Sequence, residues 1–192
     1  MVPVFRKFKR EDVYQFAKWG EHSDPRFYQY NFPFETKAEF DDWYEMKQKW
    51  IFRKVYGLFL DDYPLGFITI KNINWFKKQA ELGIAIDPNH LNEGYGAQLL
   101  EAYLEYVFRV YPIEKMALRV AVFNERAKAC YEKVGFREVR RQIEVFEEQG
   151  YKDIVLDAYP DLFQLVYGEL CTEFITMVVE KRVFLSERQS AE

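Results

Sequence analysis

The stretch "DPNHLNEGYGAQLLEAYLEYVF", Asp87 to Phe108, sets two glycines, Gly94 and Gly96, where a helix should begin. Glycine weakens a helix interior by roughly 1 kcal/mol relative to alanine, so a pair at the first turn points to close approach of the backbone to something. A helix N-terminus has free N–H groups and partial positive charge, which makes an anion the first candidate. A Walker loop needs a lysine and a hydroxyl residue directly after its second glycine, and Ala97 and Gln98 stand there instead. A dinucleotide fingerprint needs a third glycine where this chain has Leu99, and the sheet before it reads as antiparallel. Cys130 and Cys171 lack the short spacing of a zinc cluster, so no metal is expected and both read as buried thiols of a reducing compartment.

The elements that must position this loop follow from periodicity. The chain has 192 residues, enough for one well-buried core, with 27 Lys plus Arg against 31 Asp plus Glu. A net charge of -4 offers no basic field to a phosphate backbone, which speaks against nucleic acid. The charged N-terminus does not read as a signal peptide, and no apolar run approaches the roughly twenty residues of a membrane span, so cytoplasm is the default expectation. "VPVFRKF" reads as a strand, and "REDVYQFAKWG" and "TKAEFDDWYEMKQKW" as helices, the second opened by a Thr36/Glu39 capping box. "KVYGLFLDD", "PLGFITIKNINW" and "AELGIAID" form an antiparallel meander. The Gly94 helix follows, with Ala97, Leu100, Leu104 and Val107 on its core face. Then come the strand "KMALRVAVF", a helix "NERAKACYEKVGF" capped by Asn124 and Gly135, and the strand "REVRRQIEVF". Beyond Phe146, "YKDIVL" reads as a strand, "YPDLFQLVYGEL" as a short helix and "TEFITMVVEKRVFL" as the closing strand. The expected fold class is α+β, a mixed, mostly antiparallel central sheet of about seven strands flanked by helices. Residues 1–185 form one domain with an insertion at 147–171, and 186–192 a polar tail.

At this point the sequence resembles the GNAT superfamily of N-acetyltransferases. "IDPNHLNEGYGAQLLEAYLEYVF" is similar to that family's pyrophosphate loop and helix, and "LRVAVFNERAKACYEKVGF" to its Asn-x-x-Ala-x-x-x-Tyr-x-x-x-Gly-Phe segment, together covering residues 81–136. It departs from the pattern at Leu91, where the family usually has Gln or Arg, and at Asn92, where glycine is frequent. The work of such a loop is done by backbone N–H groups, which do not depend on the Leu91 side chain.

The resemblance implies acetyl-CoA as cosubstrate, with its pyrophosphate over Asn92, Glu93, Gly94, Tyr95, Gly96 and Ala97 and with Leu91 among the cofactor-binding residues. It also implies that Ala85 and Ile86 offer backbone to the pantetheine, that the Asn124 amide contacts the same arm, and that Tyr131 points at the sulfur. Asn124 is also a plain N-cap, and Tyr131 has a core-aromatic reading. Arg126 and Lys128 reach the 3′-phosphate or remain solvated helix charges. Acetyl transfer to an amine needs an uncharged nucleophile, a stabilised oxyanion and a proton for the thiolate. A phenol of pKa about 10 suits the last role. Glu81, at the head of the fourth strand, is the candidate base, with a structural role as its alternative. Arg119 stands where some N-terminal acetyltransferases of the superfamily have glutamate, and Asp153 in "GYKD" resembles a motif of the amine and antibiotic branches. His22 and His90 read as surface residues, His90 within reach of a phosphate, and Cys130 as packing. The acceptor pocket is expected from "EHSDPRFYQYNFPF", with Tyr28, Tyr30, Phe32 and Phe34 as apolar surface and Glu21, Asp24 and Glu35 attracting a cationic amine. Expected partners are a small-molecule amine or a protein or peptide amine, and a second copy of the chain, with no nucleic acid and no membrane. The alternative is a non-catalytic coenzyme-binding or partner-binding protein of the same fold.

Overall fold

The computed structural model describes residues 2–48 and 55–189. Its centre is an eight-stranded sheet: β1 (Val4–Lys7), β2 (Tyr56–Leu60), β3 (Tyr63–Asn74), β4 (Gln79–Ile86), β5 (Lys115–Ala121), β6 (Arg137–Val145), β7 (Phe163–Val166) and β8 (Glu169–Glu180). The order is β1-β2-β3-β4-β5-β8-β6, with β7 beside β8, so the expected meander and mixed sheet are both present. Around it lie α1 (Lys37–Gln48), α2 (Tyr95–Val110), α3 (Glu125–Lys133), α4 (Lys152–Ala158) and α5 (Lys181–Gln189).

One face of the sheet packs on α2, whose Leu99, Leu100, Tyr103, Leu104 and Phe108 are fully buried, each burial stabilising by about 1.5–3 kcal/mol. The other carries an aromatic cluster of Phe8, Phe16, Trp19, Phe40, Trp43, Phe59 and Phe67. The capping box of α1 is formed: Thr36 N–H donates to Glu39 Oε2 at 2.8 Å and Glu39 N–H to Thr36 Oγ1 at 3.4 Å. Trp50, at the end of that expected helix, and Lys54, at the start of the next strand, lie outside the described residues.

Four local readings are corrected. Arg10–Lys18 is a 3₁₀ helix instead of an α-helix, because its buried residues Val13 and Phe16, followed by Trp19, recur at three, the period of that tighter helix. "YKDIVL" belongs to α4, with Val155 turned into a satellite cluster with Phe146, Phe163, Leu170 and Phe174. "FQLV" is strand β7, joined to β8 by a tight turn with positive φ at Tyr167 and Gly168. The last strand ends at Glu180, and α5 continues to Gln189, folding Phe184 against Phe108 at 5.7 Å.

The feature that makes a site is a break in the sheet. β4 and β5 run parallel and pair only over Gln79↔Lys115, Ala80↔Met116 and Glu81↔Ala117. Beyond Glu81 the strands separate, leaving the β5-facing backbone edge of β4 without a strand among the described residues. α2 begins and α3 runs beside this gap.

Candidate active site

The gap widens into a cleft of about 270 Å³. Its floor is Ile84, Ala85 and Ile86; one wall is Leu91, Asn92, Gly94, Tyr95, Gly96 and Ala97, and the other Asn124, Arg126, Ala127, Cys130, Tyr131 and Lys133. His22, Tyr30 and His90 complete the lining.

The loop before α2 is built by two left-handed residues, Asn92 at φ +65° and Gly94 at φ +85°. Asparagine tolerates that region better than other side chains, which explains how it serves at a position where glycine is frequent. A Cβ on Gly94 would meet no atom within 4 Å, so the backbone there faces open space. Gly94 gives α2 no side-chain cap, and Gln98 N–H is bonded to Gly94 O at 3.2 Å. The amides of the first turn, Tyr95 to Ala97, therefore remain for an anion. Arg126 has no ion-pair partner among the described residues and adds positive charge to the same cleft, as does Lys133. A phosphate-bearing cosubstrate fits this donor set. Gly96 serves packing: its Cβ position lies 3.4 Å from Cys130 Sγ, where α2 meets α3.

The loop is tied down by Asp87, which is fully buried. It accepts from Gly20 N–H and Asn89 N–H, both at 2.9 Å, and from the Tyr63 hydroxyl. This one carboxylate joins the end of the first 3₁₀ helix to the anion loop.

α3 is fixed at both ends. Asn124 Oδ1 accepts from Ala127 N–H at 3.2 Å, so the cap reading holds while the residue also lines the cleft. At the other end Gly135 sits at φ +103°, Phe136 N–H donates to Tyr131 O at 3.0 Å and Gly135 N–H to Glu132 O at 3.1 Å, the Schellman pattern. The Phe136 ring lies 6.1 Å from that of Tyr131. The glycine-phenylalanine stop thus orients the tyrosine. Burial first, then Tyr30 and Cys130, push the Tyr131 phenol well above the usual tyrosine range, so it stays protonated. Its hydroxyl has no hydrogen-bond partner among the described residues. Burial also raises the Cys130 thiol, which suits packing and not nucleophilic attack.

Several nominated residues lie elsewhere. Glu81 sits in the part of β4 still paired with β5, held by Lys71 at 3.0 Å and accepting from Asn72 Nδ2 at 2.8 Å, and it does not line the cleft. Glu93 points away, beside His90 at 3.3 Å. Lys128 pairs with Glu132 at 2.6 Å. Asp153 is exposed in the first turn of α4. Of the four aromatics named for the acceptor, Tyr30 lines the cleft, Phe32 and Phe34 join the aromatic core, and Tyr28 meets Tyr151 at 4.9 Å. Asp24 is neutralised by Arg26 at 2.6 Å. Arg119 is bound by Glu144 and by Glu147 at 2.7 Å, and the charges of Glu147, Arg119 and Arg126 all act on Tyr30.

His22, read as a surface residue, lies in the cleft. Asn31 brackets its backbone, Oδ1 accepting from His22 N–H at 2.8 Å and Nδ2 donating to His22 O at 3.2 Å. Only the spacing of His22 and Asn31 across a turn-rich loop hinted at this in the sequence.

Over residues 4–137 the chain matches the acetyltransferase (GNAT) domain. The spermidine N(1)-acetyltransferase of Vibrio cholerae is 34% identical over 91 residues, 47% of this chain and 53% of that protein, so the match spans about half of that relative's length. An N-alpha-acetyltransferase of Sulfurisphaera tokodaii is 29% identical over 136 residues, 70% of this chain and 80% of the relative. Among solved structures, the Vibrio cholerae spermidine N-acetyltransferase in complex with CoA and spermine has a TM-score of 0.70 at 21% identity, covering 95% of this chain and 98% of that one. At that identity the likeness is one of fold.

Proposed function

The chain belongs to the GNAT family of acetyltransferases, taking acetyl-CoA as cosubstrate and an amine as acceptor, and on that premise we propose that the acceptor is a small aliphatic polyamine of the spermidine kind. The observation that carries the reading is the cleft itself. Free amides at the start of α2, together with Arg126 and Lys133, suit the coenzyme phosphates, and the unpaired edge of β4 suits the amide-bearing pantetheine arm, as an added strand would. In this assignment Asn124 holds that arm. The amine nitrogen forms a bond to the thioester carbonyl carbon, the C–S bond breaks, and Tyr131 gives its proton to the departing sulfur. Near Tyr30, Glu147 is the carboxylate whose charge acts beside those of Arg119 and Arg126, and it is the group offered to a second ammonium of the acceptor.

A protein α-amine is the second reading, favoured by the Sulfurisphaera tokodaii relative. Release of CoA thiol measured across spermidine, spermine, monoamines, amino-terminal peptides and aminoglycosides separates the two. Polyamines are expected to give the highest kcat/KM. Turnover with peptides alone would replace the proposal by the second reading, and coenzyme binding without turnover on any amine would leave only a binding module. A second copy as partner and a cytoplasmic location belong to the same proposal, the latter supported by two free thiols. Sedimentation equilibrium tests the former.

A further inference from the structure

We infer that the His22 imidazole, lodged in the cleft among Tyr30, Arg126 and Tyr131, is the base that takes the proton from the attacking amine. The inference rests on the acetyl-transfer reading above and adds the group that reading lacks. Glu81, the carboxylate nominated from sequence, is occupied by Lys71 and Asn72 outside the cleft. His22 lines the same cleft as Tyr131, and its ring nitrogens have no hydrogen-bond partner among the described residues.

Its position is fixed without using those nitrogens. The Asn31 amide clamps the backbone at both its N–H and its carbonyl, and the ring lies 5.4 Å from Phe27 and 6.1 Å from Tyr30, centroid to centroid. The segment carrying it is anchored by a residue far along the chain. Arg26, forked onto Asp24, stacks over Tyr159 at 4.3 Å, and the Tyr159 hydroxyl donates to Asp24 at 3.3 Å. A neutral imidazole held in place, with its unprotonated nitrogen free to accept a proton, is the requirement for a base toward an amine.

The charges around it set its protonation. Burial acts first and Arg126 on α3 second, both lowering the affinity of the ring for a proton, while Asp24 opposes them with its charge shared by Arg26. Tyr30, its ring 6.1 Å away, and Tyr131, lining the same cleft, are neutral phenols, their own values raised by burial. His22 is therefore unprotonated at neutral pH.

The proton count closes. The amine nitrogen bonds to the thioester carbonyl carbon and its N–H proton passes to His22. The C–S bond breaks, and the thiolate takes the Tyr131 proton. The imidazolium then returns one proton, through solvent, to the Tyr131 phenolate. The products are the N-acetylated amine and CoA thiol, with both side chains restored.

The test is kcat/KM against pH for wild type, His22→Gln and His22→Asn, with CoA affinity by calorimetry. The variants are expected to lose about 10²- to 10⁴-fold in kcat/KM at pH 7, within the usual range for general base catalysis. They should keep CoA affinity within about twofold, lose the acid limb of the profile and regain activity with added imidazole. An acid limb that persists in both variants, or a loss below tenfold, overturns the inference. A fall in CoA affinity matching the fall in rate also overturns it, since His22 would then serve the coenzyme.

If the wild type acetylates no amine, the acceptor reading has failed, and proton NMR of the chain's two histidines decides the rest. Assigned with His90→Gln, His22 should titrate below the ordinary histidine value and shift when CoA is added. An ordinary titration indifferent to CoA overturns the assignment.

Discussion

Tyr131 and His22 bring two uncommitted polar groups to one cleft, and burial holds the first protonated and the second neutral. Two titratable groups pushed apart in this way meet the condition for the acid and base pair proposed above. Tyr131→Phe should keep the packing against Phe136 and leave stability and coenzyme affinity nearly unchanged, because the lost hydroxyl has no hydrogen-bond partner among the described residues. Turnover should fall by roughly 10- to 10⁴-fold, and the deficit should grow with the basicity of the leaving thiol. Comparing acetyl donors of differing thiol pKa with chemistry rate-limiting checks this, and a deficit independent of the thiol would reduce Tyr131 to a positioning role. His22 also makes a stability prediction. Its folded value lies below the unfolded one of about 6.5, so its contribution is intact above that pH and declines as pH falls below it and the unfolded chain binds the proton first. Melting temperature should therefore drop below pH 6.5 in the wild type, and less steeply in His22→Gln. Tyr131 was legible because its spacing from Asn124 and Gly135 lies within one helix. His22 was not, because its place depends on contacts with Asn31 and with Tyr159, the latter reaching Asp24 across 135 residues.

At the scale of elements, the starts and stops of α2 and α3 do most of the positioning. Gly94→Val sets a β-branched residue at φ +85°, in a region such side chains avoid, and fills the open space before the first-turn amides. Calorimetry should show CoA affinity reduced by at least tenfold in a chain whose circular dichroism is unchanged; unchanged affinity would move the anion site elsewhere. Gly135→Ala strains the Schellman stop at φ +103° by about 1–2 kcal/mol, which for a chain of this size is roughly 2–8 °C in Tm. These signals were readable because caps and left-handed turns depend on local residue type. The segment after Phe146 was misread because "YKDIVL" carries the β-branched pair Ile154 and Val155, yet its helix buries Val155 in a cluster with Phe146, Phe163, Leu170 and Phe174, all outside the segment itself. Tyr159, just past α4, holds the Arg26 loop, the segment that also carries His22 and Tyr30.

At the scale of the whole molecule, the sheet is divided by its own function. β1 to β4 and β5, β8, β6 and β7 are two ladders joined by three residue pairs of parallel bridge, with α2 and α3 packed across the join. A coenzyme arm lying along the free edge of β4 would complete hydrogen bonds that no strand among the described residues supplies, and its phosphates would neutralise the first turn of α2. Binding should therefore stabilise both ladders together instead of one loop. Ligand at 100 times its Kd contributes about 2.7 kcal/mol, which at about 2–4 °C per kcal/mol for a chain of this length amounts to roughly 5–11 °C. Scanning calorimetry with increasing CoA should show a single transition moving upward by that amount, and hydrogen exchange should slow at Ala85, Ile86 and the first turn of α2. A transition that splits, or protection confined to the anion loop, would mean that the phosphates bind without the arm entering between β4 and β5.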